Sequence, residues 1–166
     1  MEEQEIKSIR SDVFNSPVEI ALRLLFIFSK SNRPFDLQRL IYYHYFLIHS
    51  SDADGPVSIH PKLPFRSCEM LVNRTVFKQG LTLLVSKDLV SVIYSKKVGI
   101  TFTKNPKTDL FLKYFESNYS KRLEECAIWV CTKFDSLTDG QLADLVDTNL
   151  GKWGIEFSPI DDEVEM

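Results

Sequence analysis

Cysteine is scarce in this chain of 166 residues, and the three that occur, Cys68, Cys126 and Cys131, cannot pair completely. None stands in the close-paired spacing of a zinc site. Cys126 and Cys131 lie five apart in a helical pattern, so they point to different faces, and buried thiols are expected at all three positions. Long apolar runs are missing too. A run such as Leu24 to Phe28 falls far short of the ~20 residues that span a bilayer. The opening MEEQEIK is acidic and polar, unlike a secretory leader. A soluble, cytoplasmic chain without membrane contact is expected. There is no P-loop, GxGxxG, HExxH or GxSxG signature. The three histidines, His44, His49 and His60, fall in a buried-looking helix, at its end and in a connector. Packing or capping accounts for them more simply than a metal site that still needs a fourth ligand. No nucleophile with a matching base can be nominated from spacing. Catalysis, a cofactor and a metal centre are therefore not expected, and binding remains.

What the chain does hold is a core. Hydrophobic residues make up 44% and charged residues 26%, with twelve Phe and six Tyr. That is the balance of a globular protein with an aromatic-rich interior, and the length suits one domain or one domain with an extension. Net charge is only −3 but unevenly spread. Residues 62–107 carry nine Lys/Arg against two Asp/Glu, residues 1–61 carry six against eight, and residues 108–166 carry five against thirteen. A basic middle and an acidic end suggest a polyanion or an acidic partner surface.

The order of elements follows from local signals. In NSPVEIALRLLFIFSKSNRP, Ser16 can cap, Pro17 suits the first helical position and Glu19 stands where a capping box needs it. Asp36 caps a second helix, LQRLIYYHYFLIHSS. Both helices are apolar nearly all round. In RTVFKQGLTLLVSKDL, the residues Val76, Phe77, Gly80, Leu81, Leu84 and Val85 form one stripe, and Arg74, Lys78 and Thr82 the opposite row, with Gln79 and Ser86 beside it. LVSVIYSKKVGITFT reads as a hairpin with a basic tip. Further on, PKTDLFLKYFESNYSKRLEECAIWVCTKF reads as one or two helices. Thr138 and Gln141 make a second capping box before a helix that stops at Gly151. The expected fold is mainly α with a small β-hairpin. A winged helix-turn-helix domain over 16–104 is followed by a C-terminal helical extension over 105–158. A flexible acidic N-terminus (1–15) and an acidic tail (159–166) flank them.

Two binding readings stand side by side. In the first, Arg74, Lys78, Gln79 and Thr82 face double-stranded DNA while Lys96 and Lys97 touch phosphate. That face lacks the several Arg, Asn and Gln side chains of a strong base reader, so weak, sequence-blind contact is expected. A solvated helix face and a charged hairpin tip would look the same. In the second, surplus apolar surface marks a protein interface, with Trp129, Trp153 and Phe157 as candidates. Here the competing reading is that the C-terminal helices simply cover the first two. Between the second helix and the amphipathic one lies GPVSIHPKLPFRSCEML, residues 55–71. Its three prolines stiffen it. Ile59, Leu63 and Phe65 could pin it to the core, leaving Lys62 and Arg66 at the edge of the basic surface.

SPVEIALRLLFIF, followed by LIYYHYFLIHSSDADGPVSIHPKLPFRSCEMLVNRTVFKQGLTLLVSKDLV, resembles the middle component of bacterial ABC three-component defence systems. That group includes the Lamassu type of antiphage and antiplasmid system. The resemblance covers roughly residues 15 to 95 and extends more weakly to RLEECAIWVCTKF and KWGIEF. HPKLPFRS with the later GLTLLVSKDLV is its most specific part; Cys68 departs from the small residue expected before the glutamate. The resemblance implies a small winged-helix adaptor that is not an enzyme. It would join an SMC-like ABC ATPase to a separate effector, commonly a nuclease, and hold that effector in check until foreign DNA is sensed. A free-standing winged-helix transcription regulator is the alternative.

Overall fold

The computed structural model describes residues 15–72 and 74–153. Phe157 and the acidic tail expected over 159–166 lie outside them, as does most of the acidic N-terminus. Helix α1, Pro17–Lys30, starts where Ser16 accepts a hydrogen bond from the Glu19 amide and Pro17 occupies the first turn. Helix α2, Leu37–Ile48, starts at Asp36, whose carboxylate accepts from the Arg39 amide. Both are buried on most sides, as their all-round apolar pattern requires. Two short 3₁₀ turns, Ser50–Ala53 and Arg66–Cys68, bracket the connector, and a single helical turn, α3 (Glu69–Val72), follows.

Helix α4, Arg74–Ser86, buries Phe77, Gly80, Leu81 and Leu84 and exposes Arg74, Lys78, Gln79 and Thr82. Its stripe packs on α1. The approach is close because Gly80 carries no side chain: a Cβ there would sit 3.0 Å from the Pro17 carbonyl oxygen and 3.3 Å from the Ala21 nitrogen. Strands β1 (Val90–Ser95) and β2 (Gly99–Lys104) form an antiparallel hairpin around the Lys96–Lys97 tip. A third pairing joins it. Phe35, between α1 and α2, exchanges two backbone hydrogen bonds of 2.8 Å with Phe102 of β2. No sequence pattern announces a strand one residue long.

Helix α5, Pro106–Leu112, opens with a capping box of Asn105 and Thr108. Helix α6, Asn118–Phe134, is capped by Ser117, and α7, Asp139–Leu150, by the Thr138–Gln141 box with Gly151 at its end. α6 lies against α1 and α2 and contributes Leu123, Cys126, Ala127, Val130, Cys131 and Phe134 to the same apolar core. The C-terminal helices therefore do cover the first two. Buried Arg39 fastens them: its guanidinium donates to Asp139 at 2.6 Å, to the Phe134 carbonyl at 2.8 Å and to the Leu137 carbonyl at 2.6 Å. Cys126 and Cys131 are buried, whereas Cys68 is exposed, which corrects the expectation for that thiol. Among the described residues, no helix is long and apolar enough to cross a membrane.

Candidate partner and nucleic-acid interface

The polar row of α4 reaches the surface as its helical spacing requires, but part of its hydrogen-bonding capacity is spent locally. Thr82 donates to the Lys78 carbonyl at 2.8 Å, Ser86 donates to the Leu83 carbonyl at 2.8 Å, and Arg74 pairs with Gln38. Lys78 and Gln79 stay exposed, as do Lys96 and Lys97 at the hairpin tip. Between α4 and the hairpin runs an open groove of about 570 Å³. Leu81 and Val85 form one wall. The register partners Val92–Phe102 and Tyr94–Ile100 form the other, and Leu37 at the start of α2 also lines it. Tyr94 is 78% exposed, and Ile93, Val98 and Ile100 on the same hairpin are also exposed. The sequence reading singled out none of these four. Their signal was there: a two-stranded hairpin with apolar residues on both faces cannot bury both against one core.

The connector is built differently from expectation. Ile59 packs on the core, but Leu63 and Phe65 are exposed. Lys62 is exposed beside them. Arg66 does not edge the basic surface. It is only 3% exposed and clasped to Asp52. Burial alone would raise the Asp52 carboxyl, but hydrogen bonds from Arg66 and Tyr45 together with the Arg66 charge hold it below the ordinary carboxylate range. The basic run of the sequence hid this, because the partner lies fourteen residues earlier. Phe65 adopts a left-handed conformation with φ of 54°, uncommon for a bulky residue.

The tryptophans fall inside rather than on a free face. Trp153 is buried, stacked on Tyr45 with ring centroids 5.1 Å apart and edge-on to Phe46. Its indole N–H donates to the Asp52 carbonyl at 3.2 Å, and its own carbonyl accepts from Ser67 at 3.2 Å. It thus joins both ends of the connector, which corrects its reading as a partner contact. Trp129 is half-buried under Gly55, where an added Cβ would fall 2.4 Å from the indole. Lys133 lies over its ring.

Polar groups in the interior cluster around α2. His44 sits edge-on to Phe77 with centroids 4.9 Å apart, and its Nε2 has no hydrogen-bond partner among the described residues. Burial pushes His44 well below the ordinary imidazole range, with the Arg23 charge adding to it. Burial likewise lowers His60 to about 4, again helped by Arg23. His60 lies near the Tyr119 hydroxyl, at 3.4 Å. Among the described residues, no group of three His, Cys, Asp or Glu side chains gathers where it could hold a metal ion.

A helical body with one β-hairpin presents a joined basic and apolar face along α4 and the hairpin. Comparison with family models makes the assignment particular. The model for ABC-three component (ABC-3C) system Middle Component 2 matches residues 13–156, and the chain belongs to that family. It is thus a component of a three-component system, and the family name implies association with the other components. Searches of curated proteins and of solved structures gave no match.

Proposed function

We propose that this protein is a non-catalytic adaptor of winged-helix type that bridges an SMC-like ABC ATPase and an effector, a nuclease in the common case. The setting is a cytoplasmic antiphage or antiplasmid defence system of Lamassu kind. Family membership carries the reading. The order of elements supports the winged-helix part: α1, the Phe35 bridge, α2, α4, then a hairpin whose second strand pairs with that bridge. The exposed joined face of α4 and the hairpin supports the adaptor part, because contiguous exposed apolar surface marks interaction sites. Lys78, Gln79, Lys96 and Lys97, with Arg74 and Thr82 behind them, form the basic rim through which any contact with DNA held by the ATPase runs. Contact there is electrostatic and independent of sequence. ATP-driven rearrangement changes the adaptor's contacts and frees the effector.

Co-expression of the full chain with the ATPase and effector, followed by affinity capture on the ATPase and gel filtration, tests this. The adaptor is expected to co-elute with both. A chain that elutes alone and monodisperse in their presence would overturn the proposal.

A further inference from the structure

We infer that the groove between α4 and the hairpin receives an apolar segment flanked by carboxylates, supplied by one of the two other components, rather than duplex DNA. The inference rests on the adaptor reading and adds the chemistry of the contact.

The lining of the groove decides against nucleic acid. Leu81, Val85, Val92, Tyr94, Ile100 and Phe102 line most of it, and none of their side chains except the Tyr94 hydroxyl can donate to a phosphate oxygen. The hydroxyls of Thr82 and Ser86 already donate to carbonyls of their own helix, and Arg74 is engaged by Gln38. A phosphate backbone laid here would leave this apolar surface as wet as before. An apolar peptide segment would remove it from water. The volume, about 570 Å³, is within the range of roughly 300–1,000 Å³ over which pockets enclose a ligand.

Charge selects the flanks of that segment. Lys78 lies in the groove wall, and Lys96 and Lys97 sit at the turn joining the strands that carry Tyr94 and Ile100. Among the described residues, no carboxylate lines the groove. An apolar floor with lysines at its wall and at the turn is complementary to leucine-like or aromatic residues bordered by Asp or Glu. Such rim charges act on partner choice and encounter rate more than on final affinity.

The test places benzoyl-phenylalanine at Tyr94 in the full chain and irradiates the co-expressed assembly with ATPase and effector. Mass spectrometry then identifies the joined peptide. A cross-link to an ATPase or effector segment with apolar residues beside Asp or Glu supports the inference. Exclusive cross-linking to DNA, to a second copy of this chain or to its own residues 154–166 would overturn it. So would an assembled complex in which the groove stays unlabelled. In parallel, Tyr94→Ser combined with Ile100→Ser is expected to weaken assembly by about tenfold. Both side chains are exposed, so the melting temperature of the isolated chain should hold. Unchanged affinity in that variant counts against the groove alone. Failure of the unaltered chain to assemble removes the groove inference together with the adaptor reading.

Discussion

Arg66 clasps Asp52 through two hydrogen bonds, Nε to Oδ2 at 2.7 Å and Nη2 to Oδ1 at 2.6 Å, with both side chains buried. The clasp joins the two 3₁₀ turns at the ends of the connector and closes residues 54–65 into a loop. Trp153 caps the same junction.

Arg66→Ala therefore leaves a buried carboxylate without its cation, and breaking such a pair costs about 3–5 kcal/mol. Urea unfolding should show a lowered midpoint of that order. Asp52→Asn together with Arg66→Met should recover part of the loss, since no charge is then stranded. A single Arg66→Ala variant as stable as the parent would dismiss the clasp as a structural element.

Stability should fall on acidification. The folded state keeps His44 and His60 neutral well below 6.5, and His60 down to about 4. The unfolded chain takes up those protons at about pH 6.5 and below, so it binds more protons than the folded state between about pH 6.5 and 4, and stability is lost as pH falls through that window. Glu19 works in the opposite sense, because burial raises its carboxyl despite the Arg23 charge and favours proton uptake in the folded state. Denaturation midpoints at pH 7.5, 6 and 5 should decline in that order. His44→Phe with His60→Gln should flatten the trend; an unflattened slope would assign it to other groups.

The thiols should react unequally. Cys68 is exposed, whereas Cys126 and Cys131 are buried, and burial pushes the Cys131 thiol up to about 12 and also raises Cys126. Thiolate, not thiol, is the nucleophile. Ellman's reagent should titrate one thiol rapidly in the native protein and three after denaturation. Three fast thiols in the native chain would contradict the packing of α6.

Contact with DNA, if confined to phosphates, should be weak, blind to sequence and steeply salt-dependent. Gel-shift titrations of palindromic and random duplexes should give the same affinity. Lys96→Ala with Lys97→Ala should reduce the slope of log affinity on log salt by about two, one for each phosphate contact removed. Tight, selective binding to a palindrome by the isolated chain would favour a free-standing regulator instead.

Much of the scaffold was legible because its signals are local. The α4 stripe, the Lys96–Lys97 hairpin and the caps at Ser16, Asp36 and Thr138 each depend on residues within a few positions of one another. What escaped is long-range. Arg66 looked exposed because its neighbours are basic, whereas its environment is set by Asp52. Trp153 counts as surplus apolar surface when read by sequence, yet Tyr45 and Phe46, more than a hundred residues earlier, leave a place for it. The groove was missed for a related reason: alternation showed which hairpin residues are apolar, but not that α4 leaves a gap beside them.

The Phe35–Phe102 bridge makes the hairpin a lever. Its two amide–carbonyl bonds hold β2 at a point between α1 and α2, while the ladder runs three residues beyond to the Ser95–Gly99 pair that carries the lysine turn, ~10 Å of strand at about 3.3 Å per residue. A partner that pulls on the tip exerts torque at Phe35. Phe35 packs edge-on against Phe28 of α1 and Tyr43 of α2. Force applied at the lysines therefore arrives at the joint between the two central helices, where a change in their packing would be felt by whatever lies against α6.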